Sequence, residues 1–177
     1  GLVIKFPVIP GPAKWPTWLG LLNGVLVLVP AWLALAWLHG HGELGKAYIY
    51  LVFLLVICAD VGAYFTGKKF GKRKLAPKVS PGKTIEGGIG ALIVAGVIGI
   101  LYVYLNDMLM LSFNWVLVIL GVAIVSIFGD LYESLSKRTA GIKDSGKILP
   151  GHGGVLDRLD SLSAAIPVFA CGVMWLI

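Results

Sequence analysis

Charged residues are scarce in this chain and apolar residues are abundant. Of its 177 residues, 14% are charged and 58% are apolar, whereas soluble domains are about 25% charged. The apolar residues are concentrated in long runs, and a helix needs about 20 apolar residues to cross a bilayer. This composition excludes an ordinary soluble domain and predicts an integral membrane protein.

Cysteines are also few, since Cys58 and Cys171 are the only two and both lie inside apolar runs. We therefore expect packing roles for them rather than a disulfide framework. The net charge of +6 does not indicate a nucleic-acid partner, because most basic residues fall in two loops between apolar runs. Such basic loops are typical of the cytoplasmic side of a membrane protein.

Five apolar runs predict an all-α fold of about five transmembrane helices, forming a single domain over residues 1–177. The expected spans are Thr17 to Leu38, Lys46 to Thr66, Gly88 to Leu105, Asn114 to Tyr132 and Asp160 to Ile177. Lys and Arg are absent from connections 39–45 and 106–113 but abundant in 67–87 and 131–159. Both basic loops are therefore predicted to be cytoplasmic.

The first basic loop, residues 67–87, carries seven Lys or Arg residues and a single acid. Its Gly-Lys-Thr run does not form a P-loop, because Pro77 stands where that motif requires its first glycine. Lysine side chains and hydroxyl groups still suit phosphate, so this loop is predicted to bind substrate. The residues assigned to that role are Ser80, Lys83 and Thr84.

Asp60 is a carboxylate inside the second predicted span. A charge at such a depth is costly unless it is paired or faces water. It is therefore predicted to line the site, although pairing with a lysine near the helix end is an alternative.

The second basic loop carries the strongest signal. Residues 129–161 contain five of the nine acids in the chain, interleaved with five basic residues. Asp157 and Asp160 are three residues apart and share a helical face, while Asp130 lies at the end of the preceding span. Carboxylates of this kind suit Mg²⁺, which usually binds together with substrate phosphates. A solvated loop with internal salt bridges is the alternative interpretation.

The run SLSKRTAGIKDSGKILPGHGGVLDRLDS, from Ser134 to Ser161, resembles the signature of the phosphatidate cytidylyltransferases, the CDP-diacylglycerol synthases. Each polar position of that pattern is filled here, within the signature region 130–161. The segment from Ala59 to Gly87 resembles the preceding part of the same family. Family members usually carry further spans ahead of this region, so the chain is expected to be the C-terminal part of a longer one.

The resemblance implies transfer of CMP from CTP to phosphatidic acid, giving CDP-diacylglycerol and pyrophosphate, at the cytoplasmic face of a bacterial inner membrane. It indicates Asp130 and Asp157 as the first candidates for metal ligands, followed by Asp160 and Asp144. Mg²⁺ is the expected cofactor, while a second cation and a homodimer stay open. The other residues assigned to catalysis or substrate binding are Lys137, Arg138, Lys143, His152, Gly153 and Arg158.

Two other functions compete with this interpretation. A CTP-dependent kinase of a lipid alcohol would share the membrane setting but transfer the γ-phosphate, and the complete signature argues against it. An ion-coupled transporter predicts acids distributed through several spans, whereas only Asp60 lies well inside one.

Overall fold

The computed structural model describes residues 17–106, 113–139, 141–142, 145, 154 and 156–176. In this part of the chain there are five helices, all long and apolar enough to cross a membrane, which confirms the predicted all-α membrane fold. The helices are α1 (Thr17–His39), α2 (Gly42–Phe70), α3 (Ile85–Leu105), α4 (Phe113–Thr139) and α5 (Leu156–Leu176). The protein is therefore a multi-pass membrane protein.

Two helices extend well beyond their predicted spans. α2 has 29 residues and is about 43 Å long, whereas the hydrocarbon core is about 30 Å thick. α4 continues past Tyr132 to Thr139. Lys and Arg favour helices, so a basic sequence that leaves the hydrocarbon continues the helix into the polar region.

The core of the bundle lies among α2, α3, α4 and α5. Trp115 and Phe169 are its largest fully buried side chains, and Leu51, Leu55 and Ile119 pack with them. In lipid the hydrophobic effect does not drive helices together, so close van der Waals packing holds such a core. By contrast, α1 leaves most of its apolar side chains exposed, as expected of a helix that faces lipid.

The helices α2 and α3 pack closely because glycines replace side chains at their contact. A Cβ atom on Gly62 would lie 2.9 Å from the carbonyl oxygen of Gly90, and one on Gly87 would lie 2.9 Å from that of Ala63. Both distances are shorter than real Cβ contacts allow. The backbones of the two helices therefore touch, and this contact fixes the start of α3 against the last third of α2.

A small antiparallel hairpin joins α2 to α3, and the sequence interpretation missed it. Its strands are β1 (Lys74–Ala76) and β2 (Ser80–Thr84), with Lys74 opposite Thr84 and Ala76 opposite Ser80. The two strands form the whole sheet, so Pro81 is tolerated because every strand in it is an edge strand. The first basic loop is thus an ordered element.

Candidate functional site

The hairpin is tied to the start of α3 by side chains on both sides of the junction. Thr84 is the N-cap of α3, and its buried hydroxyl oxygen accepts the N–H of Gly87 at 3.1 Å, as N-cap residues do. The Glu86 carboxylate accepts the backbone N–H groups of Lys72 and Arg73 at 3.1 and 3.2 Å. These bonds hold both ends of the hairpin against one helix terminus.

The hairpin also packs on α4. Ala76 and Val79 are buried against Leu131 of α4, with Leu75 and Ile127 partly buried beside them. This contact places the hairpin at the end of the bundle where α4 ends, in agreement with the predicted topology. It also brings β2 alongside α4 about two thirds of the way along that helix, where Asp130 lies.

Lys83 of β2 pairs directly with Asp130 of α4. Its Nζ lies 2.5 Å from Asp130 Oδ2 and 3.5 Å from the carbonyl oxygen of Ile127. The other carboxylate oxygen, Oδ1, accepts a bond from the Ser134 hydroxyl at 3.4 Å. Both charged side chains are partly exposed, at 23% and 32%, so a ligand can reach them.

Asp60 and this ion pair line a common cavity of about 430 Å³, bounded by α2, the hairpin, the start of α3 and α4. Asp60 lies about 15 Å before the end of α2, and it forms no salt bridge within the described ranges. A carboxylate at this depth is costly unless water or a ligand reaches it. The cavity provides that access, and thus supports the prediction that Asp60 lines the site.

Asp160 of α5 comes close to the same cluster through a tight helix contact. A Cβ atom on Gly129 would lie 2.7 Å from the Ala164 Cβ and 3.0 Å from the Asp160 carbonyl oxygen. Only glycine permits this approach of α4 to α5. As a result Asp160 and Asp130 both lie within electrostatic range of Asp60, together with Lys83.

The remaining predicted residues form three groups: one that lines the cavity, others that are described but lie outside its lining, and others that lie outside the described residues. Thr84 lines the cavity, whereas Ser80 lies in β2 outside the cavity lining, and Arg138 is exposed at the end of α4. Lys137 lies 3.4 Å from Glu133, one turn earlier on the same helix. Lys143, Asp144, His152 and Gly153 lie outside the described residues, as do the side chains of Asp157 and Arg158 in the first turn of α5.

Two contributors to the site were missed or given no role by the sequence interpretation. Tyr64 lines the cavity, and its spacing of four residues from Asp60 on a helix could have indicated a shared face. Glu86 was given no role in the site, whereas it anchors the hairpin. No periodic pattern in the sequence indicates that Glu86 would bind the backbone N–H groups of Lys72 and Arg73.

The acids of the cavity fit a hard cation such as Mg²⁺. Among the described residues no group of three or more His, Cys, Asp or Glu side chains is placed to hold a metal. Mg²⁺, however, needs only one or two protein carboxylates when substrate phosphates and water complete its shell. Asp60 and Asp130 open into one cavity and supply donors of that type.

The chain is similar to proteins of one known family. A family model described as "Cytidylyltransferase family" matches residues 12–176. A Pseudomonas aeruginosa protein named phosphatidate cytidylyltransferase is 50% identical over 161 residues, or 89% of this chain and 58% of that protein. A Haemophilus influenzae protein of the same name is 52% identical over 130 residues, covering 71% of this chain and 45% of the relative.

A third relative of that name, from Staphylococcus haemolyticus, is 48% identical over 127 residues, which cover 70% of this chain and 48% of the relative. The chain thus spans about half the length of the curated relatives it matches. The matched part includes the hairpin, the cavity and the acids described above.

Proposed function

The chain belongs to the cytidylyltransferase family, and we propose that it forms the catalytic part of a phosphatidate cytidylyltransferase. It would transfer CMP from CTP to phosphatidic acid and release pyrophosphate. The observation that carries this proposal is the Lys83–Asp130 pair beside Asp60 in one cavity at the basic end of a membrane bundle. Cations and acids in one accessible cavity are what a reaction between two phosphate compounds needs.

The proposed reaction needs little proton chemistry from the protein. An oxygen of the lipid phosphate attacks the α-phosphorus of CTP, the bond from that phosphorus to the bridging oxygen breaks, and pyrophosphate leaves with the electron pair. The attacking oxygen is already anionic, so a strong general base is unnecessary. The main obstacles are repulsion between two polyanions and charge developing on the leaving group, which positioning and electrostatics overcome.

Residues of the cavity are suited to both tasks. Lys83 projects from β2 toward α4 and carries the positive charge that a triphosphate requires. Its hairpin is fixed by Thr84 and Glu86, so the cation is held in position before substrate binds. Lys137 and Arg138 add positive charge at the end of α4. We assign phosphate binding to these three cations.

Asp60 and Asp130 are the proposed ligands of Mg²⁺, with Asp157 and Asp160 as further ligands from the start of α5. The ion would neutralise phosphate charge and stabilise the leaving pyrophosphate. When Asp130 is not bound to a cation of that kind, Lys83 neutralises it. Either Lys83 or the metal ion could therefore neutralise the charge of Asp130. A Lys83 released by the ion would remain next to the phosphates.

We place this site at the cytoplasmic face of a bacterial inner membrane. The basic hairpin and the Lys137–Arg138 end of α4 lie at one end of the bundle, and the positive-inside rule assigns such an end to the cytoplasm. CTP is a cytoplasmic nucleotide, and the lipid substrate would enter from the bilayer.

Product analysis tests the proposal. The purified protein in nanodiscs is incubated with CTP and Mg²⁺ and with either phosphatidic acid or a lipid alcohol such as diacylglycerol, and the products are separated. We expect CDP-diacylglycerol and pyrophosphate in equal amounts. Formation of CDP with a phosphorylated lipid would identify a kinase instead, and ion flux in liposomes without CTP would favour a transporter.

A further inference from the structure

A second cavity lies on the other side of α4, between α1, α4 and α5. It has a volume of about 500 Å³, and we call it the α1 groove. Residues 23–30 of α1, 125–136 of α4 and 160–167 of α5 contribute to its walls. The α4 segment alone spans about 16 Å along the bundle, so the groove is elongated along the helices.

The groove is apolar along its length and polar at one end. Val27, Phe128, Ala164 and Pro167 are among its apolar walls, whereas Glu133, Ser136, Asp160 and Ser163 line its polar part. Lys137 lies 3.4 Å from Glu133 and has only 17% of its side chain exposed. A cation, carboxylates and hydroxyls thus lie near the basic end of the bundle, and apolar walls continue from there into the membrane.

The groove lies beside the cavity of the candidate site, on the opposite side of α4. Gly129 lines the groove while Asp130, the next residue, lines the cavity that contains Lys83. Asp160 lines the groove and also lies within electrostatic range of Asp60. A molecule in the groove would therefore have its polar end beside the acids of the site.

We propose that the α1 groove binds an acyl chain of the lipid that reacts in the Lys83–Asp130 cavity. This rests on the proposed function, since it names where that function's lipid substrate lies. A glycerophospholipid in the leaflet at the basic end of the bundle has a polar head followed by apolar chains, in the same order as the groove. Its phosphate would lie at the level of Lys137. Tyr132 donates a hydrogen bond to Asn23 at 2.5 Å, linking α4 to α1 where both residues line the groove.

Glycine substitutions in α1 test the groove without disturbing the bundle. Gly24 lines the groove, and a Cβ atom on it would meet nothing within 4 Å. Leu favours a helix more than Gly does, so Gly24→Leu fills the groove and keeps α1 intact. Gly20→Leu is the matched control, because Gly20 has the same open surroundings one turn earlier but does not line the groove.

The first measurement is photo-crosslinking in nanodiscs with a phosphatidic acid that carries a diazirine on one acyl chain. Labelled peptides are mapped by mass spectrometry. We expect labelling of residues 23–30, 125–136 or 160–167 that unlabelled phosphatidic acid suppresses, that Gly24→Leu reduces and that Gly20→Leu leaves in place. Labelling spread over all lipid-exposed faces, or absent from the groove because another helix covers it, overturns the proposal.

The second measurement is kinetic. Displacing about two methylene groups of a bound chain should raise the KM of Gly24→Leu for long-chain phosphatidic acid about tenfold, with the KM of Gly20→Leu unchanged. An unchanged KM in Gly24→Leu contradicts the groove. The crosslinking needs neither CTP nor turnover, so a protein that labels in the groove but forms no CDP-diacylglycerol would refute the proposed function alone.

Discussion

Lys83 Nζ lies 2.5 Å from Asp130 Oδ2, although one residue belongs to a hairpin and the other lies about two thirds of the way along a membrane helix. The pair joins the first basic loop to α4. Asp130, Asp160 and Lys83 all lie within electrostatic range of Asp60, so Lys83 is the cation that offsets a cluster of acids. Removing it leaves these acids to repel one another and any phosphate.

The first prediction concerns this cation. Lys83→Met keeps much of the side-chain length but loses the charge, and we expect cytidylyl transfer to fall by about a hundredfold or more. Lys83→Arg should recover part of the activity, because the charge returns with a different geometry. The measurement is kcat/KM for CTP in nanodiscs.

Lys78→Met is the matched control, since Lys78 is exposed in the turn of the same hairpin. It should leave kcat/KM unchanged. If Lys83→Met and Lys78→Met behave alike, the first basic loop contributes general positive charge only and Lys83 has no specific role.

A second prediction concerns the anchor of the hairpin. Glu86→Gln keeps the shape of the side chain but weakens its charge-assisted bonds to the N–H groups of Lys72 and Arg73. We expect several-fold faster amide hydrogen exchange at these two residues, and a higher KM for CTP because Lys83 is held less firmly. Glu43→Gln, which changes an acid at the opposite end of the bundle, should alter neither quantity. Faster exchange with an unchanged KM would show that the anchor does not position Lys83.

The contact between α4 and α5 gives a third prediction. Gly129→Ala places a methyl group 2.7 Å from the Ala164 Cβ, and overpacking of this kind costs about 1–3 kcal/mol. We expect lower thermal stability together with reduced turnover, because Asp160 moves away from Asp60 and Asp130. Gly121→Ala on the same helix meets nothing within 4 Å and should be neutral or slightly stabilising. Equal stability of the two variants contradicts the tight contact.

A fourth prediction concerns Mg²⁺. Chelation with EDTA should abolish turnover and added Mg²⁺ should restore it. Asp60→Asn should raise the Mg²⁺ concentration for half-maximal turnover by about ten- to a hundredfold, because one ligand loses its charge. If this variant changes the KM for CTP at an unaltered Mg²⁺ requirement, Asp60 contacts substrate and does not bind the metal.

The sequence was sufficient for the membrane fold and for part of the site. Apolar runs and the distribution of Lys and Arg locate the five helices to within a few residues at most ends. This works because the thickness of the hydrocarbon and the free-energy cost of a charge inside it constrain each short segment of the chain separately. Asp60 could be selected as a site residue for the same reason, since its position inside a span is visible in the sequence.

Other features depend on tertiary contacts that no local pattern encodes. The hairpin was not predicted because Pro77, Pro81 and Gly82 are typical of loops. Its strands are stabilised by packing of Ala76 and Val79 on α4, which the local sequence does not show. The pairing of Lys83 with Asp130 requires that packing. The close approach at Gly129 is likewise decided by Ala164 on another helix.

The most direct test of the account is the turnover of Asp130→Asn, which removes the charge at the centre of the cavity and keeps the side-chain shape. Transfer of CMP to phosphatidic acid is measured in nanodiscs at saturating CTP and Mg²⁺, beside Glu43→Gln. We predict a loss of about a hundredfold or more for Asp130→Asn and none for Glu43→Gln. Turnover of Asp130→Asn equal to that of the unmodified protein would contradict the placement of the reaction in this cavity.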